Sequence, residues 1–326
     1  MSGFFELLTH KYILWGGFNL LVIAMLALDL GVFHRKDHKI SIKEGLIWSL
    51  IWIIVALLFN VFVYFWRGYE TGLQFFTGYL IERSLSIDNI FVFLLIFTFF
   101  GVSDKYQYKV LFWGILGALI MRGLFILMGT FLVSKFHWVL YIFGAFLVYT
   151  GIKMGLSEEK KIEPEKNPIL RFVRRFLPIT KSYVNGHFFT RQGGKLMGTP
   201  LFVVLVVVET TDVVFALDSI PAIFAITLDP FIVYTSNVFA ILGLRALYFA
   251  LAGLMDMFQY LKYGLSAILT FVGIKMLISG FLKIGDLVSL GIIAALLTIS
   301  ILASVVKPKS VKSETAKTEI PKPESK

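Results

Sequence analysis

Long apolar runs separated by short polar stretches make up most of this chain. Nine of them reach the roughly 20 residues that an α-helix needs to cross a hydrocarbon layer, at about 12–33, 45–66, 73–100, 108–133, 136–155, 199–225, 230–254, 259–282 and 284–306. The fold class this predicts is all-α, a polytopic helical membrane protein of about nine transmembrane helices. A transmembrane domain over 1–306 carries one sizeable polar insertion, 156–198. The tail 307–326, rich in Lys, Ser, Thr, Glu and Pro, is expected to be disordered. The first run is not expected to be a cleaved signal peptide. It contains Asp29, lacks a small-x-small cleavage site, and is followed rather than preceded by positive charge.

Composition agrees with a membrane protein: 57% of residues are hydrophobic, 16% are charged, and mean hydropathy is +0.81. The net charge of +10 lies between the apolar runs and not in a compact basic domain, so no nucleic-acid partner is expected. Its distribution sets an orientation. Arg35, Lys36, Lys39 and Lys43, then Lys105 and Lys109, nine residues within 156–198, Lys262 and six tail lysines share one side, whereas Lys11, Arg67, Lys135 and Lys283 lie on the other. The positive-inside rule puts the N-terminus outside and the C-terminus in the cytoplasm. In the insertion, Ile169, Phe172, Val173, Phe176 and Leu177 follow helical spacing opposite Arg171, Arg174 and Arg175. This suits an amphipathic helix at 169–177 on the anionic inner leaflet, and an ordinary basic loop is the alternative. With no Cys, there are no disulfides, thiolate ligands or thiol chemistry.

Against this background the acids stand out. Glu209, Asp212 and Asp218 sit within one apolar run, 199–225. A carboxylate in hydrocarbon costs at least about 2.5–3.5 kcal/mol, so each needs a cation, an arginine, a proton or water. Pro221 removes a helix donor and predicts loosening beside Asp218, which would free carbonyls next to carboxylates.

A second block echoes the first. Glu82-Arg83-Ser84-Leu85-Ser86-Ile87-Asp88-Asn89-Ile90 aligns without a gap on Asp212-Val213-Val214-Phe215-Ala216-Leu217-Asp218-Ser219-Ile220. Further on, Arg122-Gly123-Leu124-Phe125 aligns on Arg245-Ala246-Leu247-Tyr248, and Gly151-Ile152-Lys153-Met154 on Gly273-Ile274-Lys275-Met276. The near-constant offset predicts a repeated three-helix unit, about 73–155 and 199–282, entering the membrane from opposite sides. Inverted repeats whose interrupted helices meet at the midplane are a recurring construction of secondary transporters. Here they would gather Asp88, Asn89, Asp218 and Ser219, with Glu82, Glu209 and Asp212 nearby. Six residues turn an ideal helix by about 240°, so Glu82 and Asp88 would face apart unless the helix breaks, as would Asp212 and Asp218.

Arg122 and Arg245 are expected to balance charge. The alternative for Asp88 and Asp218 is purely structural pairing with these arginines. Five deep acids outnumber Arg83, Arg122 and Arg245, which favours a cation or proton site. Asn19, Asp29, Asn60 and Asn237 are expected to make helix–helix hydrogen bonds, and Gly114, Gly117, Gly123, Gly129, Gly243 and Gly253 to permit close packing. Thr210 and Thr211 could bond their own helix or face the site. Carboxylates with an amide and no sulfur suit Mn²⁺, Ca²⁺ or Mg²⁺, and residue chemistry does not choose among them. No Walker loop, dinucleotide fingerprint or nucleophilic triad is present, so no enzyme and no permanently bound cofactor are expected.

The blocks Phe76-Thr77-Gly78-Tyr79-Leu80-Ile81-Glu82-Arg83-Ser84-Leu85-Ser86-Ile87-Asp88-Asn89 and Glu209-Thr210-Thr211-Asp212-Val213-Val214-Phe215-Ala216-Leu217-Asp218-Ser219-Ile220-Pro221-Ala222 resemble the TerC/Alx family. The run Asp229-Pro230-Phe231-Ile232-Val233-Tyr234-Thr235-Ser236-Asn237, with Phe239 to Arg245, is similar to its Alx-like branch, and the resemblance extends over about 12–305. It implies a LysE-like transporter exporting Mn²⁺ across the bacterial inner membrane, in a family named for tellurium resistance. Glu82, Asp88, Glu209, Asp212 and Asp218 carry over as its acids. Ca²⁺ is the alternative cargo, and a membrane-assembly factor with a structural polar core is the alternative function. Oligomeric state is not legible.

Overall fold

The computed structural model describes residues 11–33, 41–136, 138–156, 175, 177–180, 182–192, 194–252 and 260–306. The proposed amphipathic helix (apart from its last residues), the tail and Gly253 lie outside these, as do the side chains of Asp29 and Asp88. The helices are α1 (Lys11–Phe33), α2 (Ile42–Arg67), α3 (Tyr69–Phe100), α4 (Asp104–Lys135), α5 (Val139–Leu156), α6 (Pro200–Phe224), α7 (Pro230–Leu242), α8 (Leu244–Leu251), α9 (Leu261–Ile278) and α10 (Asp286–Val306). Taking α7 and α8 together, eight spans among the described residues are long and apolar enough to cross a membrane, and α1 adds the shorter apolar helix Ile13–Leu28. The protein is a polytopic helical membrane protein.

Local chemistry sets the helix ends. Ser41 caps α2 by accepting from the Glu44 N–H at 3.2 Å. Asp229 caps α7 by accepting from the N–H groups of Phe231 and Ile232, and Pro200 and Pro230 open their helices where no backbone donor is needed. Gly101, at φ 60°, ends α3 in the left-handed region that suits glycine.

One expectation is corrected. α6 does not break beside Asp218 but runs through Pro221 to Phe224. α3 is likewise continuous past Glu82 and Asn89. A proline inside a packed membrane helix removes one hydrogen bond, and neighbouring helices hold the backbone in place. The interruption falls at Gly243, between α7 and α8.

Packing fixes the helix directions. Along α4, Gly114 meets Val208 and Gly129 meets Phe224 of α6, so the two run parallel. Along α3, Gly78 meets Ser236 and Arg83 reaches Ala240 of α7, again parallel. The tight turn at 101–103 makes α3 antiparallel to α4, hence α3 and α6 run in opposite directions. α5 and α9 are also antiparallel. Gly144 lies against Gly273, and Ser266 donates to the Gly151 carbonyl at 2.6 Å. Missing side chains let these backbones approach.

The described part of the 156–198 insertion is folded, which its composition did not suggest. Strands β1 (Phe189–Gln192) and β2 (Lys195–Gly198) form an antiparallel hairpin. The segment caps the α3–α4 turn: the Tyr183 hydroxyl donates to the Phe100 carbonyl at 2.7 Å, and Lys109 Nζ donates to the Gly186 carbonyl at 2.7 Å. Thr199, at the start of α6, donates to the His187 carbonyl at 2.6 Å.

Candidate functional site

Arg122 is the centre of the buried polar core. It projects from α4 into the space between α3, α6 and α7 and is almost wholly buried. Nη1 donates to Glu82 Oε1 of α3 in a short ion pair, to Ser219 Oγ of α6 at 3.2 Å and to Asn237 Oδ1 of α7 at 3.0 Å. Nε and Nη2 fork onto the two carboxylate oxygens of Asp212 on α6, at 3.4 and 3.3 Å. One guanidinium thus joins two carboxylates from oppositely running helices. Those two, Glu82 and Asp212, are the acids that the sequence alignment places at equivalent positions.

A charge group this deep persists only when opposite charges and hydrogen bonds compensate its lost hydration. Arginine suits the task because its planar fork can address several acceptors at once. Compensation is incomplete on one side. Glu82 Oε2 is buried and has no hydrogen-bond partner. A second cation brought to that oxygen would meet a carboxylate already stripped of water.

The other expected residues lie on the same helices and on α8, and not all of them are in this centre. Ser219 is in it. Glu209 lies one turn before Asp212, half-buried, with its carboxylate at Gly117 of α4. Asn89 is buried on α3. Asp218 is only partly exposed and, about 240° around α6 from Asp212, belongs to a different face of that helix. Arg245 is buried on α8, two residues beyond the break. Among the described residues no three His, Asp or Glu are gathered as a ready-made metal cage. The arginine stands between the acids.

One residue meets its expectation at an unexpected place, and one departs from its expected role. Asn237 makes the expected helix–helix hydrogen bond, and it does so in the centre, accepting from Arg122 of α4 while its own Nδ2 donates to the Val233 carbonyl at 3.0 Å. The signal for that place was the Thr235-Ser236-Asn237 polar run of an apolar helix. Arg83 does not join the acids. It donates to the Ala240 carbonyl at 3.1 Å and to Ser49 at 2.8 Å, serving the negative end of α7 where that helix stops. Thr210 and Thr211 bond back to Val206 and Val207 of their own helix. Asn19 behaves as expected, accepting from the Tyr234 hydroxyl across helices.

Comparison with known proteins places this architecture. The pattern of the TerC family of integral membrane proteins matches residues 67–312. An uncharacterised membrane protein of Myxococcus xanthus is 53% identical over 303 residues, covering 93% of this chain and 95% of its own. A protein of Escherichia coli K12, provisionally named membrane-bound redox modulator Alx, is 49% identical over 298 residues, 88% of this chain and 92% of its own. A membrane protein of Rickettsia bellii is 42% identical over 91% of this chain and 98% of its own. No solved structure matches. With the repeated acidic blocks inside the matched region, the chain belongs to the TerC family of integral membrane proteins.

Proposed function

We propose that this protein is a carrier exporting Mn²⁺ from the bacterial cytoplasm through the polar centre, by alternating access between two inverted halves. The observation that carries the reading is Arg122 held between Glu82 and Asp212, with Glu82 Oε2 buried and unbonded. A divalent ion and a guanidinium compete for the same carboxylates. When cargo binds, Arg122 withdraws; when cargo leaves, Arg122 neutralises the pair. Asp88, Asn89, Asp218, Ser219 and Glu209 assist as ligands or proton carriers, and Arg245 balances charge in the second half. The opposed directions of α3 and α6, and of α5 and α9, support the inverted arrangement. The orientation follows from the Lys and Arg distribution, N-terminus outside and C-terminus inside.

Moving two positive charges out against 100 mV costs about 4.6 kcal/mol, so export needs coupling, which protons returning on the carboxylates can supply. A redox role, as the relatives' name states, cannot here run through thiols of this chain, which has none. An effect on redox state would be indirect, through metal content.

The same arginine favours one rival, a structural polar core in an assembly factor. Cellular manganese with wild type, Asp88→Asn, Asp218→Asn and Asp212→Asn at equal expression separates the two. A carrier lowers manganese, and each folded variant loses that effect. Folded variants that keep function, or a wild type that leaves manganese unchanged, reject the carrier.

A further inference from the structure

The glycines of α4 that face α6 do not all do the same thing. Gly114 and Gly129 lie against hydrocarbon, Val208 and Phe224. Gly117 lies against a carboxylate: a Cβ built on it would fall inside the Glu209 carboxylate, overlapping Oε1, Cδ and Oε2 together. The side chain that glycine lacks is the space the carboxylate fills.

The location gives this meaning. Gly117 is five residues before Arg122 on α4, and Glu209 is three before Asp212 on the parallel helix α6. At 1.5 Å per residue the seat is displaced along the helix axes by roughly 4.5–7.5 Å from the Arg122 centre, toward the end where α4 and α6 begin. Lys105, Lys109 and the basic insertion 156–198 lie at that same end. Glu209 also shares a helix face with Asp212, three positions on. Measured along α6 from that end, Glu209 comes before Asp212.

We infer that Gly117 is a positioning residue: it seats Glu209 between α4 and α6 as the first carboxylate station on the cytoplasmic approach to the centre. The cargo assignment rests on the reading above, whereas the seat rests on the clash alone. A methyl group at position 117 must displace the carboxylate from the place it holds. Shortening the acid by one methylene, as in Glu209→Asp, draws it clear of the new methyl.

The test uses the full chain in proteoliposomes with MnCl₂ as the probe, comparing wild type, Gly117→Ala, Glu209→Asp and the double variant. Expected is at least a tenfold loss of Mn²⁺ flux in Gly117→Ala, recovered in the double variant to within about threefold of Glu209→Asp alone. A double variant no better than Gly117→Ala overturns the seat, since glycine then serves packing only. If Gly117→Ala fails to fold, recovery of folding by the added Glu209→Asp reads the same contact, and no recovery overturns it. Carbodiimide labelling of position 209, followed by mass spectrometry, separates the two ideas. Wild-type vesicles that take up no Mn²⁺ defeat the carrier reading. Labelling that rises severalfold in Gly117→Ala still upholds the seat, and unchanged labelling defeats it.

Discussion

At the residue scale, Arg122 decides whether two carboxylates can be buried at all. Removing one member of a buried charge set leaves the others uncompensated, at about 3–5 kcal/mol. Arg122→Gln is therefore expected to lower the melting temperature in detergent sharply, because it strands Glu82 and Asp212. Adding Glu82→Gln and Asp212→Asn makes the centre neutral, with amides and hydroxyls left to bond one another. That triple variant should regain most of the lost stability while carrying no divalent ion. Equal melting temperatures for wild type and Arg122→Gln would show that the network carries little of the fold. Arginine at this position does two jobs that a lysine, with one point charge, does not: it forks onto Asp212 while reaching Glu82, Ser219 and Asn237.

At the element scale, glycine contacts set how close helices come. A Cβ at Gly151 of α5 would lie 2.8 Å from the Thr270 backbone nitrogen and 2.9 Å from the Ser266 carbonyl oxygen of α9, both backbone atoms that cannot step aside. Gly151→Ala should force the pair apart and cost about 1–3 kcal/mol, the usual range for overpacking. Gly291→Ala on α10 meets nothing within 4 Å. There, alanine's better helix propensity predicts no loss or a gain of up to about 1 kcal/mol. Thermal unfolding of the two variants in one detergent checks the contrast, and similar losses in both would contradict the close contact. The break at Gly243 belongs to this scale too. A Cβ there would lie 2.7 Å from Arg83 Nη1, so glycine leaves room for the arginine that serves the end of α7.

At the scale of the whole molecule, the folded insertion ties the α3–α4 turn to the start of α6 on the basic side. Tyr183 is one of its fasteners, and burial pushes its phenol above the usual tyrosine value of about 10. A raised folded-state value means that the contribution is fully present below pH 10 and is lost as pH rises through the folded value. Protease sensitivity of the insertion should therefore stay flat to about pH 9 and climb above 10. Tyr183→Phe should remove that step at a cost of about 1 kcal/mol, the net worth of one hydrogen bond. A step that survives Tyr183→Phe would assign it to another group.

How much of this could be read in advance follows from the physics at each scale. Hydrophobic length is a local property of the chain, so the spans, the membrane class and the family-bearing acidic blocks were legible residue by residue. The cost of burying charge is also local, which marked Glu82, Asp212 and Arg122 as needing partners. Which partners they took was not local. That Asn237 would bond to Arg122 in particular was not legible, because the two lie 115 positions apart on different helices. Pro221 looked like a break because its missing hydrogen bond is visible in sequence, while the packing that keeps α6 intact is not. Sequence alone determined that the deep acids of a helical membrane protein need compensating partners, whether cation, arginine, proton or water. Only the tertiary structure decided that one arginine would serve two acids, that Gly117 would give its empty side to Glu209, and that the break would fall at Gly243. Those outcomes depend on distances between helices, which no stretch of chain contains.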